Sequence, residues 1–256
     1  MDLKLRNKTA IITGASQGIG LEIARSLAAE GVRCILISRN SNTLKLAVKS
    51  LPGNGHEYHS LDLMVPGLAE RTISKILEVQ KIDICIHNLG GTLGVKSSTA
   101  DIDDWFNVLM FNVGVAIRIN NLLIPKMIDA NYGRIVHISS ISGESLRGSA
   151  PYAAAKAFLN AYIKVLAREN AQNNIVISGV LPGAIYSEGG HWDENSPHNA
   201  IDIDAFYKKK EDFLRHHHAV GRLGLASEIS PWVSFLCSEQ ASFAIGTLIP
   251  IDGGTM

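Results

Sequence analysis

Cysteine is scarce in this chain, and its distribution excludes two kinds of scaffold. Cys34, Cys85 and Cys237 are the three cysteines among 256 residues. They lie far apart with no paired spacing, unlike a disulfide framework or a zinc site. Two of them sit inside apolar runs and read as buried fillers. Charge of either sign is not in surplus either. The 24 lysines and arginines balance 24 aspartates and glutamates, so no net field recruits nucleic acid or an anionic membrane. A small-molecule partner is expected instead. Long hydrophobic runs are also missing. The N-terminal MDLKLRNKTAIIT has neither a long apolar stretch nor a cleavage-site pattern. No later segment is expected to approach the length needed to span a bilayer, and the expected location is cytoplasmic.

Repeats, low-complexity tracts and Pro/Gly linkers are absent, and 46% apolar with 19% charged residues suits one large core. The expectation is a single domain over 1–256. Three consecutive histidines, His216, His217 and His218, point in different directions on a helix, so no metal site is assigned.

What the chain does have is rhythm. TAIIT (9–13), CILIS (34–38), IDICIH (82–87), RIVHIS (134–139), IVISGVL (175–181) and TLIPI (247–251) are apolar on both faces, as strands of a covered parallel sheet are. HEYHSL (56–61) is a weaker seventh. Helical patterns near 19–30, 41–50, 67–79, 102–130, 152–172 and 227–238 alternate with them. Repeated β-α-β predicts an α/β fold, a doubly wound Rossmann-type parallel sheet of about seven strands with helices on both faces. The rhythm breaks at 183–226, a polar stretch with a predicted helix near 204–217, which reads as a substrate lid.

The first strand runs straight into TGASQGIG, with Gly14, Gly18 and Gly20, and a helix follows. Such a turn lets backbone N–H groups approach a pyrophosphate at the positive end of a helix dipole. At the end of the second strand an NAD-selective site would carry an acid. Here Ser38, Arg39 and Asn40 stand instead, and a guanidinium can pair with a 2′-phosphate, which favours NADP(H) over NAD(H). Taken alone, Arg39 also suits a solvated residue opening a loop. Further on, YAAAK places Tyr152 and Lys156 four apart, on one face of a helix lined by small alanines. A phenol is a sluggish acid/base at neutral pH, and a nearby ammonium would stabilise its phenolate.

The spacing Thr-Gly-x-x-x-Gly-x-Gly, with a serine-terminated strand (GRIVHISSISG) and then Tyr-x-x-x-Lys, resembles the short-chain dehydrogenase/reductase family over essentially the whole chain. The resemblance implies an NADP(H)-dependent enzyme moving a hydride between nicotinamide and a ketone or secondary alcohol. By it, Tyr152 transfers the proton, Ser140 donates to the substrate oxygen, and Lys156 holds the nicotinamide ribose and tunes the phenol. Asn112 helps hold a proton-relay water, though an asparagine bonding locally in a helix reads the same way. It also implies cofactor contacts at Gly14, Ser16, Gly18, Ile19, Gly20, Ser38, Arg39, Asn40, Leu63, Asn88, Gly90, Pro182, Gly183, Ile185 and Ser187. Asp62 matches an adenine-ring contact and equally suits a helix entry.

The chain departs from the family pattern in places. Asn-Asn-Ala-Gly appears as HNLG, so His87 and Leu89 do not match. The serine-to-tyrosine spacing is one residue short; Ser139 would restore it, while alignment on Ser-x-x-Gly favours Ser140. Ala155 stands where serine is frequent, and Ser187 replaces threonine. His191, Trp192, Lys208, Lys209, Lys210 and Arg215 in the lid fit either a solvated helix or recognition of a polar substrate, such as a sugar nucleotide or a carrier-bound acyl group. A second reading of the whole chain is a dinucleotide-binding sensor or scaffold without turnover. Excess apolar surface on helices 102–130 and 152–172 points to a homo-oligomer, dimer or tetramer.

Overall fold

The alternation of β-branched runs with longer helices closes into one parallel sheet. The computed structural model of the chain describes residues 1–145, 148–187, 215 and 218–255. Six strands come first: β1 (Thr9–Thr13), β2 (Arg33–Ser38), β3 (Glu57–Ser60), β4 (Ile84–His87), β5 (Gly133–Ile138) and β6 (Ile175–Pro182). A small separate pair, β7 (Ile185–Tyr186) with β8 (Gly224–Leu225), precedes the last strand, β9 (Leu248–Ile251). The seven-stranded sheet runs β3-β2-β1-β4-β5-β6-β9, parallel throughout.

The central strands alternate their side chains between two cores. From β1, Ala10 and Ile12 join the face covered by α1 (Gly18–Ala29), α2 (Ser41–Ser50) and, late in the chain, a helix over Ala226–Cys237. Ile11 points the other way, towards α3 (Leu68–Val79), α4 (Ile102–Leu109), α5 (Val115–Asp129) and, beyond the short α6 (Ser142–Ser145), α7 (Ala150–Asn170). The Ala226–Cys237 helix is α8. On α7 the buried residues Ala155, Leu159, Ile163 and Ala167 recur every fourth position, the stripe an amphipathic helix turns to its sheet. Each fully buried leucine or isoleucine contributes about 1.5–3 kcal/mol.

Three expectations need adjustment. TLIPI does not have two buried faces: β9 is an edge strand, only part-buried, with Pro250 exposed, where a missing N–H is tolerated. The predicted helix 102–130 is interrupted by a π-helical turn at Met110–Gly114. The same stretch, Ile102–Asp129, is long and apolar enough to cross a membrane by length and composition, so the expectation that no segment reaches that length does not hold. It is nonetheless a core helix, because Val108, Val113, Ile119, Leu123 and Met127 are packed into the sheet's second core. The predicted lid helix 204–217, with His191, Trp192 and the three lysines, lies outside the described residues, as do His216 and His217. Arg215 is described and exposed.

Candidate active site

β1 lies beside β4 although β2 and β3 intervene in the chain, and such a reversal of strand order opens a crevice at the carboxyl edge. The segments that follow these strands line it. Gly14 and Gly18 have φ of 64° and 60°, left-handed values that side chains disfavour. Gly20 is required for a different reason: a Cβ there would lie 2.5 Å from both the Gly14 carbonyl oxygen and Asn88 Nδ2. Asn88 Nδ2 donates to that carbonyl at 2.9 Å. Thr13 Oγ1 accepts from the N–H groups of Asn88 and Leu89 at 3.1 and 3.2 Å, so the turns after β1 and β4 are fastened to each other. Gly20→Ala is expected to lower stability by about 1–3 kcal/mol through overpacking, read as a lower urea midpoint at unchanged slope. An unshifted midpoint would contradict this packing.

Ile19 packs partly buried against the first core. Ser187, just past β7, sits over the loop: a Cβ on Gly18 would be 3.2 Å from its Oγ. Pro182 ends β6, and Gly183 donates to the Ile251 carbonyl at 3.0 Å, where a Cβ would collide with Asp252. The terminal IDGG thus braces the Pro-Gly turn, and Ile185 packs beside it against the first core.

At the end of β2, Ser16 and Ser38 share a hydrogen bond of 3.0 Å between their hydroxyls. Arg39 is exposed, and its guanidinium has no ion-pair partner among the described residues. Asn40 caps α2, its Oδ1 accepting from the N–H groups of Asn42 and Thr43, a structural role the sequence reading did not assign. Asp62 Oδ1 accepts from Met64 N–H at 2.9 Å, and Leu63 is buried.

The tyrosine, lysine and serine converge at the crevice. α7 starts at Ala150, so Tyr152 occupies its first turn and Lys156 the next. Lys156 Nζ lies 5.6 Å from the Tyr152 ring centroid and donates to the Ile138 carbonyl at 2.9 Å. The lysine is 2% exposed, and burial pushes its pKa down to about 7. Burial raises the Tyr152 pKa, while its hydrogen bond with Ser140 acts in the opposite direction. In the chain by itself, therefore, desolvation outweighs the pull of that hydrogen bond on the phenol. Ser140 Oγ also accepts from Ser142 N–H at 3.1 Å. Ser139 instead donates to Asn160 Oδ1 at 2.6 Å, beneath α7. Of the two serines, Ser140 is the one beside the phenol.

Asn112 sits in the π-helical turn, a feature frequent at functional sites. Its Oδ1 accepts from Gly91 N–H at 3.0 Å, and its Nδ2 donates to the carbonyls of Gly91 and Val108 at 2.8 Å. It holds the turn after β4 against the helix. Gly90 is exposed at that turn, and a Cβ on it would come within 3.0 Å of Lys156 Nζ. Only a bare backbone leaves the lysine approachable from that side.

A family model for short chain dehydrogenases matches residues 8–195. The chain belongs to this family of oxidoreductases. It is 31% identical to the 3-oxoacyl-(acyl-carrier-protein) reductase of Aquifex aeolicus, with 99% of each chain covered. An uncharacterized oxidoreductase of Bacillus subtilis is 32% identical, covering 99% of this chain and 98% of its own. Among solved structures, L-sorbose reductase from Gluconobacter frateurii, complexed with NADPH and L-sorbose, superimposes with a TM-score of 0.91 at 27% identity, covering 100% of this chain and 99% of its own. A 3-oxoacyl (acyl-carrier-protein) reductase from Agrobacterium tumefaciens with NADP bound gives 0.88 at 27% identity, covering 98% and 95%.

Against this short chain dehydrogenase background, His87 acquires a physical account. It stacks on His137 with ring centroids 4.6 Å apart and 22° between planes. Its Nε2 meets Asn120 Oδ1 at 2.8 Å, and Asn120 Nδ2 donates to the Tyr162 hydroxyl at 3.1 Å. Burial pushes the His87 pKa down to about 4, against a smaller upward pull from Asn120. His137 is held well below the usual range by burial, then by His87 and Lys156. The sequence offered HNLG as a departure but no sign of its partner, since β4 and β5 are adjacent only in the sheet. Thr13, Asn120 and Asn160 were missed for the same reason. All three cysteines are buried and unpaired, their thiol pKa values raised by burial, so none is a poised thiolate.

Proposed function

We propose that the chain is an NADP(H)-dependent reductase or dehydrogenase acting on a ketone or secondary alcohol of a polar small molecule, sugar-like or a carrier-bound acyl group. The observation that carries this reading is the convergence of Ser140, Tyr152 and Lys156 at the carboxyl edge of the sheet. Two observations support a dinucleotide there. The glycine turn at the start of α1 and the bare Gly90 leave room that any Cβ would fill, and Arg39, with no ion-pair partner among the described residues, stands where a 2′-phosphate would need a cation. Gly14, Ser16, Gly18, Ile19 and Gly20 would hold the pyrophosphate end, and Ser38, Arg39, Asn40, Asp62 and Leu63 the adenosine end. Asn88, Gly90, Pro182, Gly183, Ile185 and Ser187 would flank the nicotinamide, with Tyr152 and Lys156 at its ribose. When bound, the cofactor supplies or accepts the hydride.

The chain's own residues manage the proton. Ser140 hydrogen-bonds the substrate oxygen and orients it towards the Tyr152 hydroxyl, which gives its proton to the developing alkoxide. Lys156, whose pKa burial lowers to about 7, stabilises in its protonated form the phenolate left behind, and that negative charge raises the lysine pKa in return. Asn112 fixes the Gly90–Gly91 turn beside the lysine and is the candidate holder of a relay water. In this reading 183–226 is a substrate lid on a single domain, and the location is cytoplasmic, consistent with three unpaired cysteines. Exposed Ile102, Phe106, Ile128, Phe158 and Val165 on α4, α5 and α7 support pairing of two copies as a dimer or tetramer.

Arg39→Ala is expected to weaken NADPH at least tenfold while changing NADH less than twofold, a difference of about 1.4 kcal/mol or more. Titration of nicotinamide fluorescence with each dinucleotide measures it. Equal losses for both would overturn the cofactor assignment.

A further inference from the structure

At the amino edge of the sheet, opposite the crevice, lies a second cavity of about 410 Å³, lined by Arg6, Lys8, Thr9, Arg33, Lys81 and Asp83 among others. Its size falls in the range of small-molecule sites, roughly 300–1,000 Å³, but its lining lacks the apolar and aromatic side chains those sites usually present. Four of these side chains are cations, drawn from the segment before β1, the start of β2 and the turn before β4. One is a carboxylate.

The charges do not cancel. Asp83, 6% exposed, accepts from Thr9 N–H at 3.1 Å and pairs with Lys81 at 3.0 Å and, more loosely, with Lys8 at 3.9 Å. Lys8 Nζ also lies 3.6 Å from the centroid of the Tyr132 ring, whose other cationic neighbours are Lys81 and the buried Arg134. Arg33 is held by neutral acceptors, Thr9 Oγ1 at 3.4 Å and Gln80 Oε1. Gln80 in turn reaches Glu57 at 3.2 Å, so that carboxylate meets the guanidinium only through an amide. Arg6 is exposed with no ion-pair partner among the described residues. Gathering like charges in one concavity is unfavourable unless an anion enters. The same fold closed with neutral residues would avoid that repulsion.

We propose that this cavity binds a small, multiply charged phosphate-bearing molecule. Guanidinium and ammonium groups are the donors that phosphate oxygens take, and the polar lining disfavours an apolar ligand. The site is separate from the crevice: Thr9 and Thr13 are opposite ends of β1, roughly 13 Å apart at the usual strand rise. No dinucleotide phosphate seated at the glycine turn occupies both.

Inorganic pyrophosphate, titrated calorimetrically into the full chain, tests this. With NADPH in excess to fill the glycine-turn site, the expected result is one remaining site per chain, whose affinity is read from the isotherm. That affinity should fall at least tenfold when Arg6→Gln and Lys81→Gln are combined. Both side chains are exposed, so the fold and NADPH binding should survive the double substitution. Arg33→Lys, which keeps the charge, provides a second variant and should lose affinity through the lost fork geometry. Absence of binding in the presence of excess NADPH, or unchanged affinity in the double variant, would overturn the proposal. Citrate binding as tightly as pyrophosphate would overturn its phosphate chemistry.

Discussion

Tyr152→Phe is expected to lower kcat by about 10²–10⁴-fold, the contribution of a positioned proton donor, while NADPH affinity stays within about twofold. Phenylalanine keeps the ring in the first turn of α7 and over Lys156, so the packing beside the crevice is preserved. What disappears is the hydroxyl that Ser140 bonds and the acidic proton it carries. Ser140 cannot substitute, because an aliphatic hydroxyl is a far weaker acid than a phenol. The loss should fall on kcat and kcat/KM alike, as expected for an interaction made in the transition state. Steady-state kinetics alongside fluorescence titration of NADPH would separate the two quantities. Turnover retained within tenfold would remove Tyr152 from the mechanism.

The second large effect concerns acid. His87 has an ordinary pKa of 6.5 and a folded value of about 4. As pH falls through 6.5 the unfolded chain takes up a proton that the folded chain refuses, so stability falls with pH. It continues to fall until about pH 4, below which both states are protonated. From His87 alone the loss is about 2 kcal/mol at pH 5 and approaches about 3 kcal/mol at the lower limit. His137 acts with the same sign, and because the rings stack the two do not protonate independently. Glu228 works in a lower window: Arg222 holds its pKa at about 2 from an ordinary 4.5, so its contribution is present above about pH 4.5 and is lost progressively as pH falls from there to about 2. Denaturant midpoints measured from pH 7.5 to pH 4.5 should drop steeply in the native protein. The drop should shrink in His87→Gln, whose terminal amide stands in for the ring Nε2 that meets Asn120 and does not titrate. A flat profile in the native protein, or equal slopes in both, would contradict the buried neutral pair.

The sheet was legible because burial on both faces leaves its mark in one dimension. TAIIT, CILIS and RIVHIS are near-continuous apolar runs, and the observed strands fall within a residue or two of them. The weaker HEYHSL survived as β3, at the sheet edge, where one-sided burial gives a fainter pattern. The glycine turn was legible because steric demand leaves few residue choices at Gly14, Gly18 and Gly20. What stayed hidden depends on neighbours far apart in the chain. Thr13 ties two turns together across 75 residues, and His87 finds His137 through strand pairing. The π-helical turn at Asn112 has no periodic signature short enough to read. Choosing between Ser139 and Ser140 required knowing which hydroxyl meets the buried Asn160.

The measurement closest to the central claim is NADPH oxidation by the native protein against a carbonyl panel of sugars, sugar nucleotides, acyl thioesters and simple ketones, with Tyr152→Phe run in parallel. At least one polar member of the panel is expected to be reduced by the native protein and essentially none by the variant. Tight NADPH binding with no oxidation by any member, or equal oxidation by both proteins, would contradict it.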